Sequence, residues 1–368
     1  MRQFFPLLFF IVFIGILVGV NIYLSRRFNF YFSIENTKIL YFIFPGLTIL
    51  MIFGVLPLSN TTNGFGSFIY MLAAITMGVL LYLVLSVLLV NLVQLFTNFP
   101  PKTYGISAIV LTAAISLGGI LNSWNIQVTQ QEISIKGISS EIRAMHLSDI
   151  HIGHFRGKNF LQRIVDKTNE QNVDVVFITG DLFDGRINLT MEELVPLTQL
   201  NAPVYFVEGN HDNYSGIQTI KKYLRESGVD VLENEVTHFS ELQIIGLNHM
   251  RADSESFNMH VNDNGHTIKN VLSTLNIFKE KPTVLLHHSP DGIKYANQHG
   301  VDLYLAGHTH AGQLFPIKYI ANLLFAYNKG LHNFKGTQIF VSQGAGTFGP
   351  PMRVGTKSEI ALLKLKPE

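Results

Sequence analysis

Val173-Asp174-Val175-Val176-Phe177-Ile178-Thr179-Gly180-Asp181-Leu182-Phe183-Asp184 is the stretch that decides the fold. Its first half is almost continuously apolar and rich in β-branched residues. That is the composition of a strand covered on both faces, as in parallel α/β sheets. A glycine and two carboxylates follow at the strand's carboxyl end.

The same order recurs on either side. Ile142–Leu147 reads as a strand and leads into Asp149-Ile150-His151. Val204–Val207 leads into Gly209-Asn210-His211-Asp212, Thr283–His287 into His288, and Leu303–Leu305 into Gly307-His308-Thr309-His310. Further strands are expected at Leu242–Gly246, Gln338–Ser342 and Glu359–Leu365. Helices are expected at Asn159–Gln171, Met191–Leu200 and Ile217–Ser227. In the first of these, Phe160, Leu161, Ile164, Val165 and Thr168 fall near helical spacing. Alternating strands and helices imply α/β layers. Open α/β sheets bind ligands beyond the carboxyl ends of their strands, so the polar clusters can converge on one site.

The side chains in those clusters are oxygen and imidazole donors, a set suited to Mn, Fe or Zn. With no cysteine in the chain, a thiolate zinc site, a disulfide scaffold and a cysteine nucleophile are all excluded. In Asp149-x-His151 and His308-x-His310 the two donors are two residues apart. An extended segment would aim them the same way. Asp181 can bridge two cations. The glycines before Asp181, Asn210 and His308 allow tight turns beside them.

Composition divides the 368 residues in two. The chain is 47% hydrophobic and 14% charged, with a mean hydropathy of +0.26 and a formal net charge of +1. Residues 1–124 hold five basic side chains and one acid, Glu35, leaving 22 basic and 25 acidic side chains for residues 125–368. All 14 histidines lie in that second part. A mildly acidic domain gives no electrostatic basis for nucleic-acid binding.

Residues 1–124 read as a transmembrane region with helices at about 4–24, 39–56, 65–96 and 104–122. About 20 residues cross a bilayer. The first two fit, the third must tilt or project, and the fourth uses Tyr104 and Trp124 as interfacial ends. A cleaved signal peptide is the rival reading of the first. Its length, and Arg26-Arg27 as a stop, argue for a retained span. Arg26, Arg27, Lys38 and Lys102 lie in alternate connections, so the positive-inside rule puts both termini, and the 125–368 domain, outside the cytoplasm. No ionisable residue falls inside the four stretches, so a transporter gets little support.

Taken together, Leu147-Ser148-Asp149-x-His151, Gly180-Asp181-x-x-Asp184, Gly209-Asn210-His211-Asp212, His288-Ser289-Pro290-Asp291 and Gly307-His308-Thr309-His310-x-Gly312-Gln313 resemble the calcineurin-like metallophosphoesterases. The wording is closest to the small bacterial branch of membrane-associated phosphodiesterases. The resemblance spans about residues 140–365 and excludes the four apolar stretches.

It implies a four-layer αββα sandwich with two mixed sheets and a centre of two divalent metal ions. Asp149, His151, Asp181 and His310 would hold one ion. Asp181, Asn210, His288 and His308 would hold the other. His211 would serve the leaving oxygen, oriented by Asp184. The implied activity is a membrane-anchored phosphoesterase, phosphodiesterase-like, acting through water activated by the two metals. A phosphoester from lipid or the cell envelope is the expected substrate, and the inner membrane the expected location. A receptor or scaffold with a structural metal site is the alternative.

His154, His332 and Arg353 are candidate phosphate contacts, and Phe348 a candidate substrate contact. Of the adjacent pair, His288 rather than His287 is the expected ligand. His146, His238, His249, His260, His266 and His299 read as structural or exposed. Gly344–Pro351 is glycine-rich but lacks the Lys-Ser/Thr of a nucleotide loop, and reads as a turn near the site.

Overall fold

The structure, a computed structural model, describes residues 5–185, 190–256 and 265–368. His260 lies outside them. The chain forms two compact units. One comprises residues 1–59, 63–121 and 349–351, and the other residues 60–62, 122–348 and 352–368.

The first unit contains helices α1 (Phe5–Phe32), α2 (Leu40–Val55), α3 (Gly64–Gln94) and α4 (Pro101–Trp124, its end passing into the second unit). All four are long and apolar enough to cross a membrane. Helix α1 differs from expectation. It does not stop at Leu24 but runs through Arg26 and Arg27 to Phe32. Arg27 therefore lies within a helix, donating to the amide oxygens of Asn91 and Gln94 on α3. Neutral oxygen partners relieve the cost of placing a guanidinium there.

The second unit contains strands β1 (Ile126–Ile135), β2 (Ile142–Leu147), β3 (Val175–Thr179), β4 (Val204–Val207), β5 (Asp230–Val231), β6 (Glu235–Phe239), β7 (Leu242–Gly246), β8 (Thr283–Leu286), β9 (Leu303–Ala306), β10 (Gly330–Phe334), β11 (Thr337–Val341) and β12 (Ser358–Pro367). They form two six-stranded sheets ordered β1-β12-β2-β3-β4-β5 and β10-β11-β9-β8-β7-β6. Both are mixed. In the first, β12 runs antiparallel to β2 while β2, β3, β4 and β5 are parallel. In the second, β11, β9, β8 and β7 are parallel and both edge strands are antiparallel.

The helices of this unit are α5 (Lys158–Asn169), α6 (Met191–Leu194), α7 (Asn210–Glu226), α8 (Ile268–Thr274), α9 (Ile293–Gln298) and α10 (Ile317–Leu324). The expected helix Met191–Leu200 becomes α6 followed by a 3-10 turn at Val195–Gln199. Pro196 cannot donate the α-helical hydrogen bond. Helix α7 begins seven residues before the expected Ile217, with Gly216 at φ +97° between its halves.

Three apolar layers hold the sandwich. One joins the first sheet to α5 and α7 through Met145, Ile178, Phe160, Ile164, Ile220 and Leu224. The middle layer interleaves Ala144, Phe177 and Val207 of that sheet with Ile244, Leu286 and Leu305 of the other. The third packs Ile245, Leu285 and Tyr304 against α8 and α9. The resulting helix–sheet–sheet–helix order is the four-layer αββα architecture. His146 points into it from β2, bonded to the Thr179 hydroxyl at 2.8 Å, and burial drives its pKa down to about 3.

Candidate metal centre

Every expected ligand lies just beyond the carboxyl end of a strand. Asp149 and His151 follow β2, Asp181 follows β3, Asn210 follows β4, His288 follows β8, and His308 and His310 follow β9. The local backbone is not extended, as the two-residue spacing suggested. Asp149, His151, Asp181, His308 and His310 have φ of +51°, +52°, +51°, +70° and +49°. Non-glycine residues in this region cost on the order of 1 kcal/mol or more each, and they collect where a site demands them. Each turn re-aims its side chain inward. Main-chain bonds from Asp149 and His151 to the carbonyls of Gly180 and Asp181 hold two of these turns in place.

The glycines serve a different end from turning alone. Only Gly180 of the three has a positive φ, +78°. A Cβ on Gly307 would collide with Ser148 and the Asp149 carboxylate, and one on Gly209 with the Asp181 carboxylate. These two positions need space more than freedom.

The geometry brings acidic and imidazole donors together in three adjoining groups, Asp149 with His151 and His310, Asp181 with His288 and His308, and His151 with Asp184 and His211. In the first, His151 Nε2 lies 3.1 Å from His310 Nε2 and 3.8 Å from Asp181 Oδ2, and His310 Nε2 lies 3.3 Å from Asp149 Oδ1. In the second, His288 Nε2 lies 3.1 Å from Asp181 Oδ2, and His308 Nδ1 lies 3.1 Å from Asn210 Oδ1 and 3.2 Å from His288 Nε2. Asp181 lies against both of these.

The donor chemistry tests whether cations fit. His288 Nδ1 faces the Thr179 carbonyl at 2.7 Å, so that nitrogen carries the hydrogen. Its Nε2 faces the Asp181 carboxylate at 3.1 Å, so a proton or a cation lies between them. Burial drives His151 down to about 4 and His310 well below the ordinary range, leaving both as neutral imidazoles. Arg353 donates to His310 Nδ1, so a neutral His310 carries its hydrogen on Nε2 unless a cation takes that position. The cluster is made of imidazole nitrogens with carboxylate and amide oxygens, the set that borderline divalent cations take. The arrangement fits two divalent cations.

Outer contacts fix the ligands. Ser148 donates to Asp149 at 2.6 Å, and the His308 backbone N–H lies 3.0 Å from the same oxygen. The His211 N–H donates to Asp181 at 2.8 Å. Asp212 accepts from Gly209 and Phe183 at 2.9 and 3.1 Å, bracing two ligand turns. The Gly209-x-x-Asp212 spacing is that of a helix-capping carboxylate, the signal by which this brace is legible in sequence.

His211 stands at the rim with its Nδ1 3.1 Å from Asp184. Burial opposes its charge, but Asp181 and Asp184 outweigh it and raise its pKa to about 9. His288 behaves alike, raised to about 9 against burial by Asp181. Phe348 is 55% exposed, its ring 5.0 Å from that of His211.

Other expectations fall elsewhere. Arg353 is fully buried, donating to the carbonyls of Gln343, Gly344 and Gly346. It braces the glycine-rich turn behind His310 and is not placed to meet a phosphate. His332 sits on edge strand β10, bonded to the Lys329 carbonyl and packed against Tyr327. His154 is half-buried in the loop after His151. His287 turns away from the cluster to Ser289 and Tyr304. His249, expected to be structural, is buried within 6.0 Å of the rings of His287, His288 and His308.

Fold and donor set together point to a metal-dependent phosphoesterase, and the sequence comparisons name the family. The calcineurin-like phosphoesterase family matches residues 142–312. A metallophosphoesterase of Aquifex aeolicus is 31% identical over 62% of this chain and 86% of that protein. One of Helicobacter pylori is 35% identical over 66% of this chain and 64% of its own length. A Danio rerio transmembrane protein with a metallophosphoesterase domain is 32% identical over 70% of this chain and 62% of that protein. The chain belongs to the calcineurin-like metallophosphoesterase family. It spans a little under two thirds of the Helicobacter and Danio proteins.

Proposed function

We propose that this chain is a membrane-anchored hydrolase of phosphodiesters or related phosphate esters. Two divalent cations would be held by Asp149, His151, Asp181 and His310 and by Asp181, Asn210, His288 and His308. The observation that carries this reading is the convergence of seven oxygen and imidazole donors from five strand ends. Bound cations would neutralise phosphoryl oxygens and acidify a water, the usual two-metal contribution.

The chain's own residues do the rest. His211, held by Asp184, delivers a proton to the leaving oxygen. Phe348 lines the approach beside it. Arg26, Arg27, Lys38 and Lys102 support placing the catalytic domain on the extracytoplasmic face of the cell membrane, where phospholipid or cell-envelope phosphoesters are available.

The test is hydrolysis of bis(p-nitrophenyl) phosphate by the full chain in detergent with Mn²⁺. Metal-dependent release of nitrophenol is the expected result. No release with Mn²⁺, Fe²⁺ or Zn²⁺ at full metal occupancy would sink the reading. A phosphatase reporter fused after Glu368 should be active, and activity confined to a cytoplasmic reporter would reverse the orientation.

A further inference from the structure

The α/β unit exposes its large apolar side chains chiefly in one place. Phe315, Ile317, Tyr319, Ile320, Leu323 and Leu324 are exposed, Leu323 to 85% and Leu324 to 74%. They make up six of the nine exposed large apolar side chains among the described residues of that unit. All lie on or immediately before α10, of which only Ala321 is buried. Surface patches of this concentration mark interaction sites.

The patch adjoins the metal ligands. It follows His310–Gly312 in the chain, and Gly312 lies directly against the backbone of Lys318. Phe325, just after α10, sits edge-on to the His308 ring at 5.8 Å. The charge of this stretch of chain is one-signed. From Leu303 to Ser358 there is no Asp or Glu, while Lys318, Lys329, Lys335, Arg353 and Lys357 fall in that stretch. Arg353 is buried and Lys329 and Lys357 are exposed. Lys335 sits apart in the β10–β11 turn, at the opposite strand ends, whose Asn333 and Gly336 line a pocket with Asp302 and Glu368. Lys318 lays its ammonium over the rings of Phe315 and Tyr319.

An apolar and aromatic helix face with a lysine laid over its rings and no acid in its own stretch of chain has the composition of an interfacial helix on anionic lipid. A second copy of the same surface would bring like charges together. The chain carries four helices long and apolar enough to cross a membrane, which favours a bilayer as the partner of this face.

We propose that α10 embeds its apolar face in the headgroup layer of an anionic leaflet, holding the metal-ligand cluster at the lipid surface. That the cluster then draws a lipid phosphoester from this layer rests on the activity proposed above. The embedding itself does not.

The absence of cysteine makes single-site labelling clean. Leu323→Cys, and Glu226→Cys on α7 as a control, would carry an environment-sensitive fluorophore on the full chain in nanodiscs of equimolar phosphatidylglycerol and phosphatidylcholine. The label at 323 should be quenched by a lipid-borne nitroxide and spared by aqueous iodide, and the label at 226 should show the reverse. Iodide quenching at 323 equal to that at 226 would place α10 in water and overturn the proposal. Protection from both quenchers would mean that protein covers the helix, and would overturn it equally.

A Leu323→Ser/Leu324→Ser variant should keep its rate on the soluble diester and lose about tenfold on a vesicle-borne phosphoester. Equal rates on the vesicle substrate would break the link to supply. If the unsubstituted chain cleaves neither substrate, the proposed activity fails while the quenching result stands.

Discussion

Two polar clusters in this molecule look alike in composition and differ in logic. Between α1 and α3, donors meet acceptors. Arg27 and the Tyr31 hydroxyl donate to the Asn91 amide oxygen, and the Asn91 amide nitrogen donates to the Tyr23 hydroxyl. At the strand ends, imidazoles and carboxylates crowd together, with His288 Nε2 3.1 Å from Asp181 and His151 Nε2 3.1 Å from His310 Nε2. The first cluster is built on amide, hydroxyl and guanidinium partners and holds helices together. The second gathers imidazoles and carboxylates from five strand ends, the donor set that suits a divalent cation.

Substitutions should separate the two, beginning with the largest effect. Asp181→Asn removes the carboxylate shared by both proposed ligand sets. Hydrolysis of the soluble diester should fall on the order of 10³-fold, with metal lost from the purified chain. His211→Ala should cut the rate by about 10²-fold or more and leave bound metal unchanged, because neither proposed ligand set includes His211. Metal loss in this variant would make it a ligand. Ser148→Ala takes one hydrogen bond from Asp149, so metal affinity by titration should weaken about tenfold while kcat at saturating metal changes little. Asn91→Leu should leave metal content and rate alone. It takes one of the two amide partners from Arg27 and the acceptor from the Tyr31 hydroxyl, and the melting temperature should drop by an amount corresponding to about 1–3 kcal/mol. Loss of activity in a still-folded Asn91→Leu protein would mean that the helix cluster has a role in the chemistry.

Much of the site was legible because each ligand follows a strand that announces itself. Val175–Thr179 and Leu303–Ala306 are unbroken apolar runs, and the polar residues after them stand out. The seven expected ligands do come together. The conformation that aims them was not legible. A positive φ at Asp149 or His310 is imposed by neighbouring turns and by hydrogen bonds from segments far away in sequence.

The edges of the sheets were also missed. Strand β1 carries polar residues at Gln127, Thr129, Gln130 and Gln131, and it forms by parallel pairing with β12 at the other end of the domain. Edge strands β6 and β10 are only half covered, so they lack the apolar run that marks a central strand. Arg26 and Arg27 read as a helix stop because charge ends spans on average. The partners of Arg27 on α3 could not be seen from α1 alone. Arg353 read as a candidate phosphate contact for the same reason, its carbonyl partners being supplied by a turn that only the fold brings near.

The most direct test of the central claim is the metal stoichiometry of the full chain, measured by elemental analysis after Mn²⁺ loading and desalting. The strand-end cluster should hold about two ions per chain, with about one surviving His310→Ala and almost none surviving Asp181→Asn. A chain that binds no metal, or whose bound metal is unchanged in both variants, would contradict it.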